Sequence, residues 1–517
     1  MSATTDQTGG DRDSADLAQF GYRQELKRSL GVFSSFAVAF SYISPSTGIF
    51  TLFALGLVTI GGVFIWTWPI VAAGQFIIAL NFAEVSSHYP IAGSVFQWTK
   101  YLAGRRYAWF SGWIYLFAGI LTVTAVVATI PLALIPALNG LGWKSLGAGT
   151  SANSLQAQMI VALITLVVIT VLNIYGVKLV SIINNTGVLF EILGMVVFAL
   201  VMIAFHNHQG FKVITNSGGL HVNGSTFLVA MFMSLFVIYG FDTASTLAEE
   251  TKDPRRNAPK AVLYSIIGAF IIGGIFLLGT LMAIPNLHKA ITGNGGFGFG
   301  PAQIIEANFS PGFATTYLLV VSAAIFVCCL SIMAATIRLC FGMSRDNQLP
   351  ASGLLSRVAP KLHTPVFSCI AVAVVAAIPI IDGQYSGAAI IAIAATAMIY
   401  LSYFLGNIAI LRARLRGWPK TEAPFSLGKW GPVVNIVGLL YGGAMLINFA
   451  WPRAASNPTP NQSGVLHLGF LNGVPILWTV LGVIVVIGII YYAVSGRNKQ
   501  FAAIQAPAGD DAPLATI

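Results

Sequence analysis

The apolar residues of this chain fall in runs about 20 residues long rather than in amphipathic stripes, and that pattern limits its fold more than any other feature. A helix needs roughly 20 apolar residues to cross the hydrocarbon of a bilayer, where its backbone polar groups must be satisfied internally. Charged residues make up 9% of the chain, far below the roughly 25% that soluble domains use to cover their surfaces. The sequence therefore reads as an all-α integral membrane protein with about twelve transmembrane helices, near 32–58, 61–85, 107–136, 158–177, 181–205, 226–248, 262–284, 315–340, 365–382, 387–411, 432–451 and 475–495.

Everything between these spans is short, so one transmembrane domain, 31–495, lies between polar tails at 1–30 and 496–517. The first tail has no apolar core ahead of a small-residue cleavage site and does not read as a signal peptide. Lys and Arg accumulate in cytoplasmic loops. With both termini placed in the cytoplasm, all of the 27 Lys and Arg residues except Lys144, Lys212, Lys289 and Arg453 fall on the cytoplasmic side. The net charge of +10 thus reports topology and contact with anionic membrane lipid; nucleic acid is not an expected partner. The cysteines Cys328, Cys329, Cys340 and Cys369 lie in or beside apolar runs without zinc-type spacing, and His206 and His208 sit in a polar loop. Neither pattern calls for a disulfide, a metal or a cofactor.

Two spans are interrupted. In the first, Tyr42 to Ile49 reads YISPSTGI, where proline removes a backbone donor and glycine adds freedom. In the sixth, Tyr239 to Thr243 reads YGFDT, and a helical run, ASTLAEE, is expected after it. Spans one and six then begin two five-helix repeats, about 31–205 and 226–411, which run inverted because five is odd; two extra helices follow at about 432–495. Broken helices at matching positions of inverted halves point to a transporter's binding site.

Only Glu191 and Asp242 are acids deep in the spans. Glu191 lies ten residues into span five, about 15 Å or half the hydrocarbon thickness. An ionisable group there costs at least about 2.5 kcal/mol, so it either faces a cavity, carries a proton, or sits protonated between helices. Asp242 either makes a cation-favouring pocket with the unwound carbonyls of Ile238 and Tyr239 or caps the helix restarting at Thr243. Since no Lys or Arg occupies the middle of any span, a substrate carboxylate needs another positive partner. The restarting half of span one offers the N–H groups of Ser46, Thr47 and Gly48 with two hydroxyls, and the carbonyls of Tyr42 and Ile43 suit a cation. Phe40, Tyr42, Phe236, Tyr239 and Phe241, beside Gly240, would occlude a substrate or hold an ammonium against ring faces.

The broken first span, AEVSSHYPIAGSVFQW (Ala83 to Trp98), YGFDTASTLAEETKDPRRNAPKA (Tyr239 to Ala261) and RLCFGMSRDNQLP (Arg338 to Pro350) together resemble the amino acid–polyamine–organocation permeases. The branch they are most similar to is the amino acid/choline transporters, which include GABA permeases. The resemblance runs over nearly all twelve spans and implies the LeuT-type fold and secondary transport of amino acids or related amines. It matches the carboxylate-binding turn to Ser46, Thr47 and Gly48, with Pro45 and Ser46 departing from the usual glycine and serine run. It also matches the acidic position after the span-six glycine to Asp242. A span-five position that is lysine in some proton-coupled members is here Glu191.

The function expected is a proton-coupled importer of a small amino acid or amine in the cell membrane, GABA-like or zwitterionic, working by alternating access with Glu191 as the proton carrier. The alternatives are an exchanger, and a choline or polyamine uniporter drawn by the membrane potential. A channel is disfavoured by the paired breaks. No HExxH motif or nucleophile with its base supports an enzyme.

Overall fold

A computed structural model of the chain describes residues 17–21, 28, 30–143, 146, 152–175, 177–293, 298–381, 388–451 and 476–495. The second tail, 496–517, and most of the first lie outside the described residues. Those residues are overwhelmingly helical, and their strand pairing is limited to isolated bridges at Leu30–Thr251 and Ala359–Thr364. Among the described residues, nine helical stretches are long and apolar enough to cross a membrane. The first, Val32–His88, holds both of the first two expected spans, and the shorter apolar helices Gly224–Val237 and Val366–Ile381 fall on the sixth and ninth.

Local chemistry accounts for the first break. Pro45 has no N–H to continue the ladder and disfavours helical backbone in the residue before it. Helix Val32–Ile43 accordingly stops at Ser44, which takes φ 35°, ψ 83°, and a second helix, Pro45–Ile60, starts with proline at its first position. In the sixth span helix Gly224–Val237 ends, the backbone turns through Gly240 at φ +90°, and helix resumes at Thr243. The expected run ASTLAEE is shorter than a continuous helix: Thr243–Thr246 is one turn, followed by a 3-10 turn at Ala248–Glu250.

The two broken spans are packed at the centre. The second half of span one lies along the first half of span six, and the first half of span one contacts spans five, seven and eight. Span three packs on spans eight and ten, and span seven on span two. The stretch holding spans one and two is mostly buried, whereas the last helix, Trp478–Ser495, is mostly exposed and peripheral. Ile160, Ile164, Val167 and Val171 of span four are exposed at helical spacing. They form an apolar outer face suited to lipid.

Candidate substrate site

Close approach of the two breaks builds the site. A Cβ on Gly48 would lie 2.4 Å from Val237 Cγ2, and one on Gly240 would lie 2.0 Å from the Tyr42 ring. Glycine at both positions lets the halves meet. The rings of Tyr42 and Tyr239 stand edge to face at 6.3 Å, Phe236 stands edge to face on Tyr239 at 5.9 Å, and Tyr239 Oη is 3.3 Å from Thr122 Oγ1. Tyr42, Phe236 and Tyr239 therefore do gather between the breaks. Phe241 turns away onto Phe82 and Tyr403, and Phe40 packs on Phe36 beside Gly268 of span seven. Ile43 and Ile238 are buried at the ends of the first helical segments, where each chain unwinds.

Helix Val177–Phe205 brings Glu191 to the first break. Ser44 Oγ and Ser46 Oγ each donate to Glu191 Oε1 at 2.6 Å, and Thr47 Oγ1 lies 2.6 Å from Ser44 Oγ. Glu191 Oε2 has no hydrogen-bond partner among the described residues. Ser46, Thr47 and Glu191 are each 2% exposed. The N-terminus of the restarting helix thus already holds a carboxylate, and that carboxylate belongs to the protein. One expectation is corrected: the Gly48 N–H is not free, since it donates to Ser44 C=O at 3.2 Å and closes the first helical turn. Ser46 and Thr47 precede that bond and carry the donors of the helix start. On the other side of the break, the Tyr42 carbonyl accepts the Cys328 thiol at 3.6 Å.

Asp242 is fully buried and sits at the start of Thr243–Thr246, yet its side chain makes no capping bond. The capping alternative is therefore not what the geometry shows. Its carboxylate accepts the hydroxyls of Ser94, at 2.6 Å, of Tyr115 and of Tyr403, and Tyr403 Oη in turn accepts the Gly240 N–H at 3.0 Å. Ser94 follows span two, Tyr115 lies in span three and Tyr403 in span ten. Ser44, Ser94, Tyr115 and Tyr403 were not singled out from sequence. Hydroxyls are common in membrane helices, and nothing local marks those that meet a carboxylate.

A profile of the family described as amino acid permease matches residues 30–471. The chain belongs to the amino acid permease family. Its relatives include the amino-acid permease BAT1 of Arabidopsis thaliana, 28% identical over 470 residues, 86% of this permease and 89% of that one. The GABA-specific permease of Saccharomyces cerevisiae is 24% identical over 491 residues, 91% and 83% of the two chains. The branched-chain amino acid permease BcaP of Bacillus subtilis is 27% identical over 365 residues, 68% and 73% of the two. The crystal structure of MhsT in complex with L-phenylalanine superposes with a TM-score of 0.59 at 13% identity, covering 82% of this permease and 99% of that chain. At that identity the likeness carries the fold alone, which is LeuT-type.

The permease's charged motif residues gather at the face bearing its Arg- and Lys-rich loops. Glu84, Glu249 and Glu250 are fully buried there. Arg338 donates to Glu250 at 2.9 Å, Arg345 holds Glu249 with both terminal nitrogens, Arg414 pairs with Glu84, and Lys100 with Asp346. Leu30 is zipped to the chain leaving span six, its N–H on Glu250 C=O and its C=O on the Lys252 N–H, each at 2.9 Å. These contacts tie the ends of spans two, six, eight and ten together at the basic face.

Proposed function

We propose that this permease imports a small amino acid or related amine, GABA-like or zwitterionic, across the cell membrane in symport with a proton, with both termini in the cytoplasm. The observation that carries the reading is the seat of Glu191 on the first break: an ionisable group at membrane depth touches the turn suited to a substrate carboxylate. Backbone and hydroxyl donors of Ser46 and Thr47 hold the substrate's carboxylate, Gly48 admits it, and Tyr42, Phe236 and Tyr239 enclose its body. The carbonyl of Ile43 at the first break and those of Ile238 and Tyr239, ahead of the turn through Gly240 and Phe241, favour its ammonium, with Asp242 behind them. Relatives named for amino acids, GABA and branched-chain amino acids support the substrate class. One proton crossing 100 mV supplies about 2.3 kcal/mol, worth roughly fiftyfold accumulation of a neutral zwitterion.

Uptake in proteoliposomes over GABA, leucine, alanine, choline and putrescine tests the reading. A pH gradient is expected to drive accumulation by the wild type, and Glu191→Gln to retain counterflow while losing accumulation. Full pH-driven accumulation by Glu191→Gln would remove the proton role. Transport that needs internal substrate whatever the gradient would make the protein an exchanger.

A further inference from the structure

The first break holds a carboxyl group in this structure, and that group is tethered to span five. Ser44 and Ser46 both donate their hydroxyl protons to Glu191 Oε1, while Oε2 has no partner among the described residues and Glu191 is buried. A substrate carboxylate arriving at Ser46 and Thr47 needs the same donors at the same helix N-terminus. Two carboxylates cannot share them while both are charged, because like charges a few ångströms apart in a dry site repel strongly.

We infer that Glu191 is a built-in stand-in for the substrate's carboxylate, so that the two occupy the N-terminus of Pro45–Ile60 alternately and substrate seats only when Glu191 has taken a proton. The inference rests on the symport reading and adds its order of events. With the site open to water, a proton from that side adds to the carboxylate of Glu191, which becomes neutral and releases Ser44 and Ser46. The substrate carboxylate replaces it on those donors. On the other side substrate leaves, Glu191 loses its proton to that water, and the charged carboxylate returns to the break. Empty carrier is then neutralised from within, without a buried helix terminus left bare.

Glu191 is placed to titrate with few competitors. Tyr317 and Cys328 of span eight face it. Span four has Tyr175 alone, at its end, and Tyr42 is the one ionisable side chain on the first half of span one. Those of span seven, Arg255, Arg256, Lys260 and Tyr264, lie near its basic end, and Lys178 lies at the far end of Glu191's own helix.

The test is equilibrium binding of labelled GABA, leucine and alanine to the purified full chain in lipid nanodiscs from pH 5 to 8, each alongside the amine lacking the carboxylate. Binding that carries one proton weakens about tenfold per pH unit once Glu191 is charged. Wild type should show that slope for an amino acid and not for its carboxylate-free amine. Glu191→Gln should bind with the wild type's low-pH affinity throughout. Ser44→Gly keeps the positive φ but removes one donor from Glu191, so affinity should begin to fall at a higher pH. A wild-type affinity flat across the range, or the same slope in Glu191→Gln, would overturn this inference and leave import standing. Binding of amines but of no amino acid would overturn both. A pH gradient that fails to drive accumulation while the slope persists would remove symport and leave the competition intact.

Discussion

Ser46 and Glu191 stand 145 positions apart in the chain, and the hydroxyl of one donates to the carboxylate of the other at 2.6 Å. The contact joins the break of span one to the middle of span five, so a change at either end is read at both. A hydrogen bond to a charged group is worth about 1.5 to 3 kcal/mol. Ser46→Ala is expected to weaken amino acid binding at low pH by about tenfold or more, because the substrate carboxylate then loses the same donor. Titration of the purified variant at pH 5 measures it, and wild-type affinity would show that Ser46 serves Glu191 alone.

The glycines at the two breaks should fail differently. At Gly48 the obstacle is a side chain, Val237, so Gly48→Ala is expected to cost about 1 to 3 kcal/mol and Val237→Ala to restore part of it. At Gly240 a Cβ meets the Tyr42 ring and the backbone is at φ +90°, which L side chains adopt only under strain. Gly240→Ala should therefore stay destabilised even with Tyr42→Ala. Melting temperatures of the four variants in detergent separate the cases.

Asp242 gathers three hydroxyls from outside its own span, so its loss should loosen span six from spans three and ten. Asn can accept fewer of them and carries no charge. Asp242→Asn is expected to cost about 2 to 4 kcal/mol in stability, and Tyr115→Phe and Tyr403→Phe about 1 to 3 kcal/mol each, less than additively with it. Double-mutant thermal melts check the coupling. If Asp242→Asn melts like the wild type, the hydroxyl cluster does not hold span six.

Breaking a buried ion pair from one side strands the other charge. Glu84 is fully buried, pairs with Arg414 and accepts the Leu427 N–H at 2.9 Å. Arg414→Ala should cost about 3 to 5 kcal/mol. Glu84→Gln in the same chain should recover a good part, since Gln still accepts from Leu427. Expression level and melting temperature report the order, and an equal loss in single and double variants would show that packing of the Arg414 stem matters more than charge.

The spans were legible because crossing hydrocarbon leaves no freedom in length or polarity, and the breaks because Pro45 and Gly240 act on their own backbone. Where the charged motif residues Glu84, Glu249, Glu250 and Asp346 would find partners was not legible. Arg414, Arg345, Arg338 and Lys100 come from other spans and loops, and the sequence places all of them on one face without pairing any.

By itself, then, the sequence determined the apolar spans, the two interruptions and the depth of Glu191 and Asp242, each a property of one segment and its solvent. Only the tertiary structure decided what those carboxylates hold. Span five lies against the first half of span one, which puts Glu191 on Ser44 and Ser46. Spans three and ten surround the second break and turn Asp242 from a helix cap into the acceptor of Tyr115 and Tyr403. A buried carboxylate takes whichever donors packing brings within reach, and for Asp242 those donors come from residues up to 161 positions away.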